Sequence, residues 1–159
     1  MAEQKTNVMR VLEQKKIRYA PHEYAHGDGA VDGVTVAALT GIPVEKVFKT
    51  LVTRGASKTV YVFVIPVACE LDLKKAAKSV GEKSVAMIHV SEINALTGYV
   101  RGGCSPVGMK KPFPTWIDET ALLTDAFYCS AGRLGAQIGI DPEALAGYIG
   151  AQFADLTEE

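Results

Sequence analysis

The chain is short of most things that would announce a chemistry. It has three cysteines in 159 residues, Cys69, Cys104 and Cys129, an odd number at wide spacings. That fits free thiols in a reducing cytosol better than a disulfide framework. There is no CxxC, no HExxH and no paired-histidine spacing, and the three histidines are scattered. Neither a metal nor a cofactor is expected. No apolar run approaches the ~18 residues that would span a bilayer. The opening stretch "MAEQKTNVMRVLEQKK" has no apolar signal core, so a cytoplasmic protein is expected. Lys and Arg are absent after Arg133.

What is present reads as an ordinary globular domain. Apolar residues make up 48% and charged residues 22%, and the net charge of −1 argues against strong binding of nucleic acid by charge alone. The charge is unevenly spread. Residues 46–133 carry 12 Lys/Arg against 7 Asp/Glu, while residues 134–159 carry 5 Asp/Glu and no cation. Two readings stay open: a solvated acidic C-terminal helix, or a basic centre facing an anionic ligand.

No repeat, low-complexity tract or linker divides the chain, so residues 1–159 are expected to form one domain. Thr6 to Lys16 has apolar residues near helical spacing, with Thr6 or Asn7 as N-cap. "HGDGAVDG" reads as a loop, and "VTVAALTG" as a helix stopped by Gly41 and Pro43. "KVFKTLVTRG" and "KTVYVFVIP" are rich in β-formers, and the spacer between them suits a hairpin whose second strand is central. Asp72 can cap a helix over "LKKAAKSVG", with Leu73, Ala76, Ala77 and Val80 inward and three lysines outward. "SVAMIHV" reads as a strand and "SEINALTG" as a helix. "TWIDET", "AFYCSAG" and "AQIGID" are three strand candidates. "DPEALAGYIGAQF" reads as a closing helix opened by Asp141-Pro142. The predicted class is α+β, with a curved mixed sheet or barrel flanked by helices.

Two places could carry chemistry. Lys49 stands in "VFKTLV" among core-type residues, where alternation puts Val47, Lys49 and Leu51 on one face. It is either an edge lysine that reaches water past an apolar surface, or a cation lining a cavity. The second place is "TGYVRGGCSPVGMKKP", Thr97 to Pro112, with four glycines, a thiol and three cations in sixteen residues. It matches neither a P-loop nor a dinucleotide fingerprint. Gly102-Gly103 could present backbone N–H groups to a carbonyl oxygen or anion. Arg101, Lys110 and Lys111 could hold phosphates. Cys104 and Ser105 are possible nucleophiles, but no His or acid adjoins them in sequence.

Taken in order, "KVFKTLV", "VFVIPVACELDLKKAAK", "LTGYVRGGCSPVGMKK", "WIDETA" and "SAGRLGAQIGI" resemble the YbaK-type Cys-tRNA(Pro) deacylases, relatives of the editing domain inserted in some prolyl-tRNA synthetases. The resemblance implies a free-standing domain that hydrolyses the ester joining a misattached amino acid to the 3′-terminal adenosine of tRNA. It places the family lysine at Lys49, the family tyrosine at Tyr24, and the glycine pair at Gly102 and Gly103, with Ser105 and Pro106 after it. Lys49, Gly102 and Gly103 are the catalytic candidates; Tyr24, Arg101, Ser105, Pro106 and Lys110 are the substrate-binding ones. Partners implied are the acceptor end of aminoacyl-tRNA and prolyl-tRNA synthetase. The reaction implied is attack by the substrate's own thiol, with Cys-tRNA(Cys) as a further substrate. The same scaffold acting on Ala- or Ser-charged tRNA, and a non-catalytic acceptor-end or nucleotide-binding module, are the alternatives. The sequence gives no oligomeric state. Two departures stand out: Ala144 occupies a position where the family often has Asp, and Cys104 one that is usually aliphatic.

Overall fold

A computed structural model describes residues 5–24 and 33–158. The expected loop "HGDGAVDG" lies outside the described residues except for Gly33. Helix α1 (Asn7–Gln14) begins where the Thr6 hydroxyl accepts the Met9 N–H at 3.2 Å. Its buried stripe is Val8, Met9 and Leu12. Strand β1 (Tyr19–Glu23) follows, then α2 (Gly33–Thr40). Strand β1 was not expected. It contains Pro21, which cannot donate to a ladder and is tolerated because β1 lies at a sheet edge.

The hairpin forms as the β-branched runs suggest. Strand β2 (Phe48–Gly55) pairs antiparallel with β3 (Val60–Pro66), and α3 (Leu73–Val80) follows with the Asp72 carboxylate accepting the Lys74 and Lys75 N–H groups. Then come β4 (Val85–Met87), α4 (Val90–Thr97), β5 (Thr115–Asp118), β6 (Phe127–Ser130), β7 (Ala136–Ile140), α5 (Pro142–Ile149) and β8 (Gln152–Ala154).

Five strands form one mixed sheet in the order β4-β2-β3-β5-β8, with β3 in the middle; β1-β7-β6 form an antiparallel second sheet. Burial of β3 on both faces explains its unbroken apolar run. Val64 joins Phe48, Ile117, Phe127, Ile138 and Leu145 in the core between the sheets. Phe63 and Ile65 join Ala76, Ala77 and Leu156 in a second core under α3. The sheets touch at a corner. Val47, just before β2, bridges Tyr128 of β6 in parallel, and Phe48 packs edge-to-face on Phe127 with ring centres 5.1 Å apart. The curved mixed sheet expected from the sequence is thus two sheets meeting at a corner.

Two side-chain placements and three boundaries differ from the sequence reading; the strand expected over "SVAMIHV" ends at Met87, and Val90 already opens α4. Leu73 is 42% exposed rather than inward, because it opens α3 beyond its cap on the solvent side. Lys75 is not simply outward: its ammonium reaches Asp155 at 2.9 Å and the Thr157 carbonyl at 2.8 Å. The last helix stops at Ile149, and Gln152–Ala154 adds to the sheet beside β5 instead. In "WIDET" the strand ends at Asp118 because that residue is a buried anchor. Its carboxylate accepts the Leu156 N–H at 2.9 Å and the Thr120 N–H at 3.2 Å, turning the chain into a 3-10 segment.

Candidate functional site

The strand registers build one face of the site. From the Val47–Tyr128 bridge, the next positions on the same face of the two strands are Lys49 and Ser130. Ser130 pairs with Gln137 of β7, and Gln137 pairs with His22 of β1. Lys49, Ser130, Gln137 and His22 therefore form a polar row across four strands. Lys49 is half-buried and has no hydrogen-bond or ion-pair partner among the described residues. Gln137 is 5% exposed, and its side-chain carbonyl oxygen likewise has no partner among them. A buried acceptor without a donor costs free energy, and a donor on a ligand would recover it. The Ser130 hydroxyl accepts the Gly132 N–H at 3.1 Å, and the His22 ring stands edge-on to Tyr128 at 5.1 Å.

The glycine-rich loop closes on this face from one end. Gly102 has φ +85°, a conformation that disfavours any side chain. Gly103 packs its backbone against that of Arg133 and Leu134 in the turn between β6 and β7. Tyr24 donates its N–H to the Gly135 carbonyl at 2.9 Å in the same turn. Tyr24, the 130–135 turn and Gly102-Gly103 are thus neighbours, and β6 carries the polar row into that turn. Tyr99 staples the assembly: its hydroxyl donates to the Val107 carbonyl, and its ring lies beside Gly132. Burial pushes the Tyr99 phenol up to about 12.

The backbone donors are not the pair expected. The Gly103 N–H already donates to the Val100 carbonyl at 3.0 Å. The N–H groups of Gly102, Cys104 and Ser105 have no partner among the described residues. Ser105 and Pro106 are buried, and the Ser105 hydroxyl accepts the Val107 N–H at 3.2 Å. These two side chains shape the loop from inside, and Ser105 is buried backbone and all. Arg101 and Lys110 are exposed, and a Cβ added at Gly98 would lie 3.3 Å from the Lys110 stem. Cys104 is 8% exposed; burial pushes its thiol up to about 11, partly offset by a hydrogen bond with Thr97. Ala144 is exposed, and Asp141 meets the chain there by accepting the Ala144 N–H at 2.8 Å. Among the described residues, no group of three or more His, Cys, Asp or Glu could hold a metal ion.

Sequence reasoning missed Gln137, Ser130, His22 and Tyr99. Only Gln137 left a trace: a lone amide in "AQIGI", where every other residue is small or apolar. The Glu23–Arg133 ion pair at 3.1 Å beside Tyr24 also left none.

Residues 29–148 match the family described as "Aminoacyl-tRNA editing domain". The chain belongs to that family. Over 155 residues it is 47% identical to the protein named "Putative Cys-tRNA(Pro)/Cys-tRNA(Cys) deacylase EbsC" of Enterococcus faecalis, covering 98% of this chain and 94% of the relative. A solved structure described as "a putative trans-editing enzyme for prolyl tRNA synthetase" shares 28% identity with a TM-score of 0.81, over 99% of this chain and 100% of that one. Another, described as "hypothetical protein APE2540", shares 25% identity with a TM-score of 0.86, over 96% and 100% of the two chains. The family, the fold and the aminoacyl-tRNA deacylase activity agree with the expectation from the motifs. Among the described residues, no helix is long and apolar enough to cross a membrane.

Proposed function

We propose that this protein acts in trans on Cys-tRNA(Pro), cleaving the cysteinyl ester with the help of the substrate's own thiol. The observation that carries this is the condition of the loop's own nucleophiles. Cys104 is buried with its thiol pushed up to about 11, so almost none of it is thiolate at neutral pH. The Ser105 hydroxyl is buried and engaged by the Val107 N–H. Neither is set up to attack an ester, whereas a cysteinyl substrate brings a nucleophile of its own.

The chemistry then asks the protein for placement. The substrate sulfur gives up its proton and attacks its own ester carbonyl carbon. The bond from that carbon to the ribose oxygen breaks, and the oxygen takes up a proton. Free tRNA and a cyclic thiolactone result, and water opens the thiolactone. Holding the reacting atoms in a near-attack shape contributes several kcal/mol. The N–H groups of Gly102 and Cys104 are the donors available to the developing oxyanion. Lys49 grips the terminal phosphate or the ribose 2′-hydroxyl. The Gln137 oxygen accepts from the substrate's α-ammonium, and Tyr24 borders the same space. Arg101 and Lys110 meet phosphates further along the strand. Prolyl-tRNA synthetase delivers the tRNA, and the reaction takes place in the cytoplasm.

The test is a panel of Cys-, Ala- and Ser-charged tRNA with the purified protein. Cys-tRNA should turn over much faster than the other two. Equal rates on Ala-tRNA would remove the substrate thiol from the mechanism, and no turnover on any of them would leave a binding module.

A further inference from the structure

Tyr99 touches both walls of the candidate site. On the loop side, its hydroxyl donates to the carbonyl of Val107, which is fully buried. The same hydroxyl fills the space beside Gly108, where an added Cβ would lie 3.0 Å from it. On the strand side, its ring edge fills the space beside Gly132, where an added Cβ would lie 3.2 Å from Cε1. Gly108 has φ +74° and Gly132 φ +104°, left-handed conformations that glycine adopts without strain. Gly132 donates its N–H to the Ser130 hydroxyl at 3.1 Å. The contacts therefore run without a gap from Val107 through Tyr99 and Gly132 to Ser130 of the polar row.

The neck of the glycine-rich loop is fastened at the same place. The Thr97 hydroxyl accepts the Tyr99 N–H at 3.0 Å, and the Thr97 carbonyl accepts the Lys110 N–H at 3.1 Å. Gly102 and Cys104, whose N–H groups are unpartnered, lie on the segment between Tyr99 and Val107.

We infer that Tyr99 is a positioning residue for the ester cleavage, its hydroxyl and ring fixing the distance between the loop's N–H donors and the polar row. The inference rests on the editing reading above and adds a residue to it. A reaction in which the substrate supplies the nucleophile depends on placement, and misplacement on the order of 1 Å costs about 100-fold in rate. The row stands on paired strands, but the donors stand on a loop that no ladder holds. Two ties bind that loop to the strands. The backbone contact of Gly103 with Arg133 is steric, so it stops the loop from coming closer. The Tyr99 hydrogen bond is directional, so it stops the loop from moving away. Burial pushes the phenol up to about 12, which keeps it a donor at neutral pH.

The experiment is single-turnover cleavage of Cys-tRNA(Pro) with the protein in excess, followed against protein concentration until the rate constant levels off. The plateau reports the chemistry of the bound complex. A smaller folded fraction moves only the concentration at half-saturation. Tyr99→Phe keeps the ring and removes the hydroxyl. Its plateau should fall by about ten- to a hundredfold, with half-saturation nearly unchanged. Leu156→Ala is the control for lost stability. It lies in the core under α3, which holds no residue of the loop or the row, so it should melt earlier and keep its plateau. Should Tyr99→Phe fail to fold, Gly108→Ala asks the same question with the ring in place. Its Cβ crowds the hydroxyl off Val107, and the same loss of plateau is expected. An unaltered plateau in the folded variant, or an equal fall in Leu156→Ala, would overturn this inference and leave the editing reading intact. Absence of turnover by the unaltered protein would overturn the editing reading, and this inference with it.

Discussion

The backbone of Gly103 lies against the backbone of Arg133. A Cβ added to Gly103 would come within 3.1 Å of the Arg133 carbonyl carbon and 3.2 Å of its Cα. This contact joins the glycine-rich loop to the turn that carries the polar row of β6 and β7. Both sides are backbone, so neither can swing away as a side-chain tip would.

Gly103→Ala should therefore displace the loop. Overpacking of this kind costs about 1–3 kcal/mol, and each kcal/mol moves the unfolding midpoint of a chain this size by roughly 2–4 °C. Activity should suffer more than stability, because the unpartnered N–H groups of Gly102 and Cys104 move with the loop. Losing one oxyanion donor costs on the order of 100-fold in rate. Turnover of Cys-tRNA and a thermal melt on the same preparation check this. A variant that melts early yet keeps its rate would show that the loop does not position donors.

Lys49 is argued from a different direction, its place beside Ser130 at the corner where the sheets meet. Lys49→Ala should lower kcat/KM by about 10–100-fold, the worth of a charge-assisted bond of roughly 1.5–3 kcal/mol. The circular dichroism spectrum should not change, since the side chain is half-buried and has no partner to strand. A wild-type rate would remove Lys49 from the mechanism.

How much of this was legible beforehand depends on the range of the interactions. Helix α1, the β2–β3 hairpin and the Asp72 cap are written in neighbouring residues, and they formed where the pattern put them. The polar row is not local. Lys49, Ser130, Gln137 and His22 meet only because β2 bridges β6, β6 pairs with β7 and β7 pairs with β1. No periodicity within one segment encodes those pairings. Strand β8 was lost for the same reason: "AQF" adjoins a helix in sequence, and only the free edge of β5 makes it a strand. In the glycine-rich loop, the sequence indicated a close backbone approach. Which N–H groups stay free was settled by the Gly103–Val100 hydrogen bond, and spacing cannot show that.

Cys104 should prove dispensable. Its thiol is buried against Val52 and Val60, so Cys104→Val keeps the packing and should hold activity within a few-fold. Mass spectrometry during turnover should find no cysteinyl adduct on Cys104. Loss of turnover in a folded Cys104→Val variant, or an adduct on that residue, would defeat the substrate-assisted mechanism.

The buried thiols also give a sign to the pH dependence of stability. Cys104 is pushed up to about 11 and Cys129 to about 12, in both cases by burial. In the unfolded chain they titrate near the ordinary ~8.5. Below that pH both states keep their protons and the contribution is fully present. Above it the unfolded state releases protons that the folded state retains, so stability falls by up to about 1.4 kcal/mol per pH unit for each thiol until the folded values are reached. Denaturant melts between pH 8 and 11 should show this decline, and Cys104→Val should flatten it by about one proton. An unchanged slope would mean that Cys104 is open to solvent in the folded protein.

Capture of tRNA is the last expectation, and it follows from how few cations face the site. The chain carries a net charge of −1; the exposed cations of the glycine-rich loop are Arg101, Lys110 and Lys111, and Arg133 in the adjoining turn is already paired with Glu23. The salt dependence of binding counts the phosphates neutralised, at about −0.7 per contact for single strands and −0.9 for duplex. Contacts confined to the acceptor end predict a shallow slope of roughly −2 to −3 and weak binding at physiological salt. Adding prolyl-tRNA synthetase should tighten the complex and steepen the slope, because the synthetase then contributes phosphate contacts of its own. Fluorescence anisotropy of labelled tRNA against salt, with and without the synthetase, measures both. Tight binding by the isolated domain with a steep slope would place a much larger tRNA surface on this protein than the loop cations account for. It would also remove the need for a carrier.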